Sequence, residues 1–267
     1  MIHCAQKDDV LLADVCGPHL WWLGQSGFLL HYRGRYALID PYLSDSLTNK
    51  YAGTDKPHVR ITERVIDPNR LDFVDVVTSS HAHTDHLDPE TLQPVFAVNR
   101  KLKIVAPAAS REVVRERTGA EPIGLEDGSS VEVSGFVFHG IAAAHEDLSP
   151  AYLGYLIECG PYRIYHSGDC VPYDGLVERL RPFKVDVALL PINGRAPERR
   201  VAGNFTGREA ARLARDVGAR VAIPMHYEMF EFNTASPDEF VAEAARVGLR
   251  VHIMRCGERF TYCRNTG

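Results

Sequence analysis

Residues 79–88, SSHAHTDHLD, concentrate side chains that bind metal ions. Four of them lie within six residues: His81, His83, Asp85 and His86. His81 and His83 are two residues apart, and alternate side chains of an extended strand share one face, so both can reach one ion. Asp85 and His86 follow after the chain has begun to turn and could serve a second ion. Because four adjacent ligand-type side chains have little structural use without an ion, the spacing predicts a metal centre.

Two ions need more ligands than these four, and three further candidates follow along the chain. His145 comes after a predicted hairpin, Asp169 ends the stretch RIYHSGD, and His226 ends the stretch VAIPMH. In a layered sandwich the ends of successive strands meet along one edge, so these side chains can complete two sites. His166 lies three residues before Asp169, and its place, in the core or behind a ligand, stays open.

The remaining histidines stand alone at strand ends or in loops. A lone histidine in such a place is usually a hydrogen-bonded core or surface residue. We therefore predict a structural role for six of them: His3, His19, His31, His58, His139 and His252.

The elements that must position these side chains alternate between strands and helices. Three short apolar runs separated by glycine-containing turns (20–24, 28–32 and 36–40) predict a β-meander. The run 75–80 predicts a buried strand that ends at the histidine cluster, and Asp88 with Pro89 is typical of a helix start. Further strands are predicted within 103–107, 131–140, 155–159, 163–169, 185–191, 220–226 and 250–254, and a helix over 110–117.

Two later helices carry start signals. Thr206 with Glu209 forms a capping-box pattern, and Ser236 with Glu239 forms a second, with Pro237 at the first helical position. Each of these helices is predicted to close at a glycine: Gly218 and Gly248. Since strands and helices interleave throughout, we predict an α/β layered sandwich in a single domain over residues 1–267.

Composition limits the class of protein. The net charge of −5 and the lack of a basic stripe argue against a nucleic-acid partner, which leaves a small-molecule substrate. No apolar run approaches the about 20 residues of a membrane span, and the first 16 residues do not resemble a signal peptide. Six cysteines without a CxxC pair predict reduced thiols and a cytoplasmic location, and homo-oligomerisation stays open: Cys4, Cys16, Cys159, Cys170, Cys256 and Cys263.

In chain order, HxHxDH, a later histidine, the tripeptide SGD and a final histidine after an apolar strand resemble the metallo-β-lactamase superfamily. The resemblance implies an αββα four-layer sandwich with a dinuclear site. It implies seven ligands: His81, His83 and His145 for one ion, Asp85, His86 and His226 for the other, and Asp169 bridging both. Mixed histidine and aspartate ligands do not choose sharply between zinc and manganese.

Five stretches are similar to a narrower branch that includes L-ascorbate-6-phosphate lactonases and small hydrolases: WWLGQSGFLL, IYHSGD, VDVALLPINGR, GNFTGREAARLA and IPMHYEMF. The likeness implies hydrolysis of a lactone, such as a sugar-acid lactone with or without a phosphate, by a hydroxide that two ions activate. Asp169 would act as the bridge, and Asp85 would bond the attacking water. A phosphodiesterase of the same superfamily is the alternative, and a non-catalytic metal-binding protein also stays open.

Substrate contacts are expected after two of the strands. Asn193 and Arg195 follow the strand VDVALL, and we expect them to face the site, with Arg199 and Arg200 available to an anionic group. The alternative for this segment is a solvated basic loop. Tyr227 follows the last ligand and either donates a hydrogen bond to a developing oxyanion or packs beneath the ligands.

Overall fold

The computed structural model of the protein describes residues 17–200 and 202–264. His3, Cys4, Cys16 and the segment predicted to lack a signal peptide lie outside the described residues. Thirteen strands lie within the described part: β1 His19–Gly24, β2 Gly27–Tyr32, β3 Arg35–Ile39, β4 Val76–Thr78, β5 Lys103–Pro107, β6 Ile123–Leu125, β7 Ser130–Val133, β8 Phe136–Ala144, β9 Leu148–Cys159, β10 Tyr162–His166, β11 Val187–Pro191, β12 Val221–Met225 and β13 Arg259–Thr261.

The α-helices of the same residues are short: α1 Ser46–Lys50, α2 Pro89–Val98, α3 Arg111–Thr118, α4 Leu176–Leu180, α5 Gly207–Asp216 and α6 Asp238–Val247. Four 3-10 turns accompany them: Pro68–Arg70, Ala108–Ser110, Arg181–Phe183 and Pro197–Arg199. None of these helices is long and apolar enough to cross a bilayer.

The strands form two mixed sheets. The first has the order β13-β1-β2-β3-β4-β5-β6, in which β1 to β3 form the predicted antiparallel meander and β3 to β6 run parallel. The second has the order β12-β11-β10-β9-β8-β7, antiparallel from β7 to β10 and parallel from β10 to β12.

Side-chain alternation along the strands separates the layers. In β2, Phe28 and Leu30 belong to the core between the sheets, where they are clustered with Tyr155 of β9. Leu29, which points the other way, belongs to a second core with Leu92 of α2. On the far side of the second sheet, α5 packs against β11 and β12. Burial of each such side chain stabilises the fold by about 1.5–3 kcal/mol, and the result is the predicted αββα sandwich.

The two predicted capping boxes have different outcomes. At α5 the hydroxyl of Thr206 accepts from Glu209 N (3.3 Å) and Thr206 N donates to the Glu209 carboxylate (2.9 Å), so the box is confirmed. At α6 the prediction is wrong, because the helix begins at Asp238 and the Glu239 carboxylate instead accepts from Arg208 N of α5 (3.3 Å). The first turns of α5 and α6 lie side by side, and the carboxylate serves the neighbouring helix.

The C-terminal part of the first sheet was not predicted. Within 250–254 only Val251 makes a β-bridge, to Ala222, so this predicted strand is wrong. The strand at this end is β13, whose three residues pair with the edge of β1.

Two of the predicted reduced thiols, Cys159 and Cys170, are buried and free, and burial raises the pKa of each to about 12.

Candidate metal centre

The seven predicted ligands lie at one edge of the sandwich, each just beyond the carboxyl end of a strand. Residues 79–88, here called the metal loop, connect β4 to α2, and His145, Asp169 and His226 follow β8, β10 and β12. The structure gathers the seven side chains into two groups, and within each group the ligand atoms lie within 4.8 Å of one another: His81, His83 and His145 in the first group, and Asp85, His86, Asp169 and His226 in the second.

Asp169 lies between the two groups. Its Oδ1 is 3.3 Å from His86 Nε2, and its Oδ2 is 3.6 Å from His226 Nε2, both in the second group. The same Oδ2 is 3.7 Å from His145 Nε2 in the first group. One carboxylate therefore faces imidazoles of both groups.

Several buried polar atoms of the centre make no well-directed hydrogen bond, although His86 Nε2 and Asp169 Oδ1 lie 3.3 Å apart. His81 Nε2, His86 Nε2 and Asp169 Oδ1 have no hydrogen-bond partner among the described residues. Buried polar groups are nearly always hydrogen-bonded, so unpaired atoms that converge on one place require an explanation. Imidazole nitrogen and carboxylate oxygen are ligands of zinc and manganese, and the residues present therefore fit a divalent ion in each group.

The charges of the second group balance one another. Burial disfavours the ionised form of Asp169, but the imidazoles of His226 and His86 outweigh it and hold its pKa well below the usual range. Burial alone would lower the pKa of His86, but Asp169 and Asp85 raise it well above its ordinary value. The same competition raises the pKa of His226 to about 9. Two carboxylates thus stabilise positive charge at the place where a cation would sit.

His81 and His145 of the first group favour neutral imidazole, which is the form that binds metals. Burial lowers the pKa of His81 well below its ordinary value, and the neighbouring His86 adds to the effect. Burial also lowers the pKa of His145, and its Nδ1 bonds to the carbonyl of Gly203 (3.0 Å), which leaves Nε2 to face the group.

Asp40, at the end of β3, orients a ligand and was missed by the sequence analysis. Its Oδ2 accepts from His86 Nδ1 (2.7 Å), and its Oδ1 accepts from Ser80 N (3.0 Å) and Thr78 Oγ1 (3.1 Å). Both side chains of the Asp40–His86 pair are fully buried. A carboxylate in this position fixes the tautomer that directs His86 Nε2 to the centre. The only signal in the sequence was an aspartate that ends a strand.

Gln25, in the turn between β1 and β2, supports the second group and was also missed. Its side-chain Nε2 donates to Asp85 Oδ2 (3.1 Å), and its backbone carbonyl accepts from His226 N (2.9 Å). The same carbonyl accepts from Trp22 Nε1 (2.9 Å). The turn therefore holds two ligand-bearing loops that are far apart in the sequence.

His166 is a core residue behind the SGD stretch. Its Nδ1 accepts from Gly168 N (3.2 Å), which leaves the proton on Nε2 to donate to Ser26 O (2.8 Å). The ring is fully buried, and burial lowers its pKa, so it is neutral. Its place behind the loop of Asp169 answers the question that the sequence left open.

The metal loop is also anchored to the opposite sheet. Ser80 O accepts from Leu153 N of β9 (3.0 Å), and Ser79 O accepts from the hydroxyl of Tyr155 (2.7 Å). The loop begins at β4 of the first sheet, so it is joined to both sheets at once.

The two groups open into a cleft of about 340 Å³. Carboxylates of the centre line it, as do the aromatic residues Tyr51 and Phe230. Four basic side chains also line it: Lys50, Lys56, Arg117 and Arg200. His58, predicted to be structural, borders the cleft as well, but its ring stacks on Tyr51 and its Nδ1 bonds to the carbonyl of Lys56 (2.8 Å).

The predicted substrate contacts lie elsewhere. Asn193 is buried and bonds to Asn204 and Asn233, and the guanidinium of Arg195 makes two bonds to Glu209 (2.7 and 2.6 Å). Tyr227 is buried against Trp22 and donates its hydroxyl to the carbonyl of Met254. These three are absent from the described residues that line the cleft. The positions of these three residues in the sequence, close after a strand or a ligand, did not predict whether their side chains face the cleft.

The two remaining arginines of the predicted basic loop differ from each other. Arg199 bonds to the carbonyl of Asn193 (2.7 Å) and to Asn233 Oδ1 (2.9 Å), so it braces its own loop. Arg200 does line the cleft, with its guanidinium paired to Asp55. Of the predicted basic contacts, Arg200 alone borders the described part of the cleft.

Two facing sheets covered by helices, with the ligand groups at one edge, form a fold that known proteins share. A family model described as the Beta-lactamase superfamily domain matches residues 35–227. The chain therefore belongs to the β-lactamase superfamily.

Relatives and solved structures agree over nearly the whole length. The chain is 30% identical over 263 residues to a UPF0173 metal-dependent hydrolase of Aeropyrum pernix, covering 91% of this chain and 97% of the relative. Igni18, a metallo hydrolase of Ignicoccus hospitalis, has 22% identity and a TM-score of 0.69, covering 92% and 98% of the two chains. An isothiocyanate hydrolase from Delia radicum gut bacteria has 19% identity and a TM-score of 0.74, covering 92% and 99%.

Proposed function

We propose that the protein is a metal-dependent hydrolase in which the two groups hold two divalent ions, zinc or manganese, with Asp169 bridging them. The observation that carries this proposal is the position of Asp169, whose carboxylate lies within 3.7 Å of imidazoles of both groups. The relative from Aeropyrum pernix, a metal-dependent hydrolase by name, supports the proposal over nearly the full chain.

When bound, such ions make water acidic enough to yield hydroxide near neutral pH and polarise the oxygen of the group under attack. The protein's own part is to orient the reactants and move a proton. Asp85 lines the cleft beside the centre, and its Oδ2 is held by Gln25 (3.1 Å). We assign to Asp85 the hydrogen bond to the attacking water and the transfer of its proton to the leaving oxygen.

The proposed substrate is a lactone. Water oxygen bonds to the acyl carbon, the ring C–O bond breaks, and the ring oxygen takes the proton, which gives a hydroxy acid. The five stretches similar to the lactonase-like branch support this choice. A carbonyl needs approach from one face only, whereas a phosphodiester needs its leaving group in line on the far side.

The lining of the cleft supports a substrate that carries a negative charge. Lys50 and Lys56 line it, and so does Arg200 of the loop after β11, whose guanidinium is paired with Asp55. A phosphate or carboxylate substituent on the lactone would be attracted by these cations. The same basic lining favours a phosphodiester as the second candidate, because its non-bridging oxygens require nearby positive charge.

Metal analysis with a substrate panel tests the proposal. The purified protein, reconstituted with zinc or manganese, should contain two ions per chain. It should hydrolyse γ-butyrolactone and its 5-carboxylate faster than bis-p-nitrophenyl phosphate at neutral pH. Trace metal only after reconstitution with both ions would overturn the dinuclear site. Phosphodiester turnover above every lactone by about tenfold, a difference of about 1.4 kcal/mol in the barrier, would replace the lactonase assignment.

A further inference from the structure

Arg117, near the end of α3, reaches the metal loop from outside the two ligand groups. Its Nη1 donates to the carbonyl of Ala82 (2.6 Å) and to the carbonyl of Leu87 (3.2 Å). Ala82 lies between His81 and His83, and Leu87 directly follows His86. One charged nitrogen therefore joins the two ends of a segment, Ala82 to Leu87, that carries three of the seven ligands and directly follows a fourth, His81.

The segment between these carbonyls is a tight turn. The carbonyl of His83 accepts from His86 N (3.0 Å) and from Leu87 N (2.9 Å). These bonds close the turn on its inner side. The chain passes within this turn from His83 of the first group to Asp85 of the second group. The bonds from Arg117 fix its outside and set how far Ala82 lies from Leu87.

Arg117 is itself held in place. Its own carbonyl accepts from Gln93 Nε2 of α2 (2.8 Å), the helix into which the metal loop runs. Its helix α3 packs against α2 and β5. The guanidinium thus acts from a packed framework, and charge-assisted bonds are shorter and stronger than neutral ones.

We propose that Arg117 is a positioning residue that holds the metal loop in the shape in which both groups bind their ions. The inference rests on the metal site of the proposed function. Loss of the Nη1 bonds would let the turn open, so that His83 and His86 no longer converge on their groups. Partners outside the ligands typically change metal affinity by about 10- to 100-fold when removed.

Three variants separate this role from a general effect on the fold. Arg117→Met keeps an unbranched side chain of similar bulk without any donor. Arg117→Lys keeps one charged nitrogen on a shorter side chain and should retain part of the zinc affinity. Arg115→Met, in the same helix, is the matched control, because Arg115 is half exposed and pairs only at the surface with Glu121 (3.5 Å) among the described residues.

The experiment measures zinc affinity by competition with a chromophoric chelator, the visible spectrum of the cobalt-substituted protein, and the unfolding of the metal-free forms. We expect Arg117→Met to bind zinc about 10- to 100-fold more weakly with a changed cobalt spectrum. Arg117→Lys should be intermediate, and Arg115→Met should match the wild type.

Wild-type affinity and spectrum in Arg117→Met, even with lower stability of the metal-free form, would overturn the proposal and leave Arg117 a purely structural role. If Arg117→Met does not fold, Arg117→Gln decides, because its shorter neutral amide cannot replace the charged donor to both carbonyls: weaker zinc binding supports the proposal, and wild-type binding overturns it. If the wild type binds no zinc or cobalt, the proposed function fails and this inference fails with it, which is a separate result.

Discussion

At the scale of single residues, the centre depends on side chains whose neighbours fix their direction. Asp40 directs His86, and Gln25 holds Asp85. The sequence was sufficient to name the seven side chains that the structure gathers, because histidine and aspartate at HxHxDH spacing suit metal binding. It was not sufficient to name Asp40 or Gln25, because a single carboxylate or amide at a strand end has many ordinary uses.

Asp169→Asn tests the bridge, since it keeps the shape of the side chain and removes its charge. We expect a loss in kcat/KM greater than the roughly 100-fold that removal of an outer hydrogen-bond partner produces. The ion content should fall toward one per chain, measured by elemental analysis. Asp174→Asn is the control, because Asp174 is exposed on the same loop. Two ions and an unchanged rate in Asp169→Asn would rule out the bridge.

Lys56→Met tests which side chains contact the substrate. Lys56 lines the cleft, whereas Arg195 is paired with Glu209 outside it. Since an exposed ion pair contributes ~0.2–1 kcal/mol, KM for the 5-carboxylate of γ-butyrolactone should rise up to about 5-fold, with little change for γ-butyrolactone itself. Arg195→Met should leave both KM values unchanged. The opposite pattern would return the substrate contact to Arg195.

At the scale of elements, the sequence predicted those strand ends and helix caps that depend on neighbouring residues alone. Local patterns identified the strand before the metal loop and the capping box at Thr206, because neighbours in sequence decide both. The missed strand β13 and the misassigned cap at Glu239 depend on packing between distant segments. The same reason explains why the directions of Asn193 and Arg195 could not be predicted.

Gly168→Ala tests how closely the SGD loop approaches the metal loop. Gly168 has a φ of +59°, and an added Cβ would lie 2.7 Å from the Cβ of Ser80, whose hydroxyl bonds to His81 and His86. Overpacking of this kind costs about 1–3 kcal/mol, so urea denaturation should show that loss together with weaker metal binding.

Gly128→Ala is the control for this substitution. Gly128 has a φ of +75° but no heavy atom within 4 Å of an added Cβ, so it reports the backbone strain alone. Equal losses in the two variants would show that the contact with Ser80 has no effect.

At the scale of the whole molecule, the ligands join the two sheets. The metal loop follows β4 of the first sheet, while His145, Asp169 and His226 follow strands of the second. Ions held by these side chains would link the sheets across the core that both share. The αββα arrangement could be predicted from the resemblance, because the order of its motifs follows the order of the strand ends.

Metal removal should therefore destabilise the whole fold. A ligand present at 1,000 times its Kd adds about 4 kcal/mol, and about 1 kcal/mol shifts the Tm of a protein of 150–250 residues by about 2–4 °C. Chelation should lower the Tm by roughly 10 °C, and zinc or manganese should restore it, as calorimetry can measure. An identical Tm with and without metal would show that the ions do not link the sheets.

The bonds from Leu153 and Tyr155 of β9 to the carbonyls of Ser80 and Ser79 bear on how long an ion would stay bound. The metal loop cannot swing away from the centre while these bonds hold it against the second sheet. Since both groups also open into the cleft, an ion would leave through the cleft while these bonds keep the metal loop in place. Metal exchange would then require only the ligand contacts to break, and the residence time of the ion would report the strength of those contacts and not a movement of the loop.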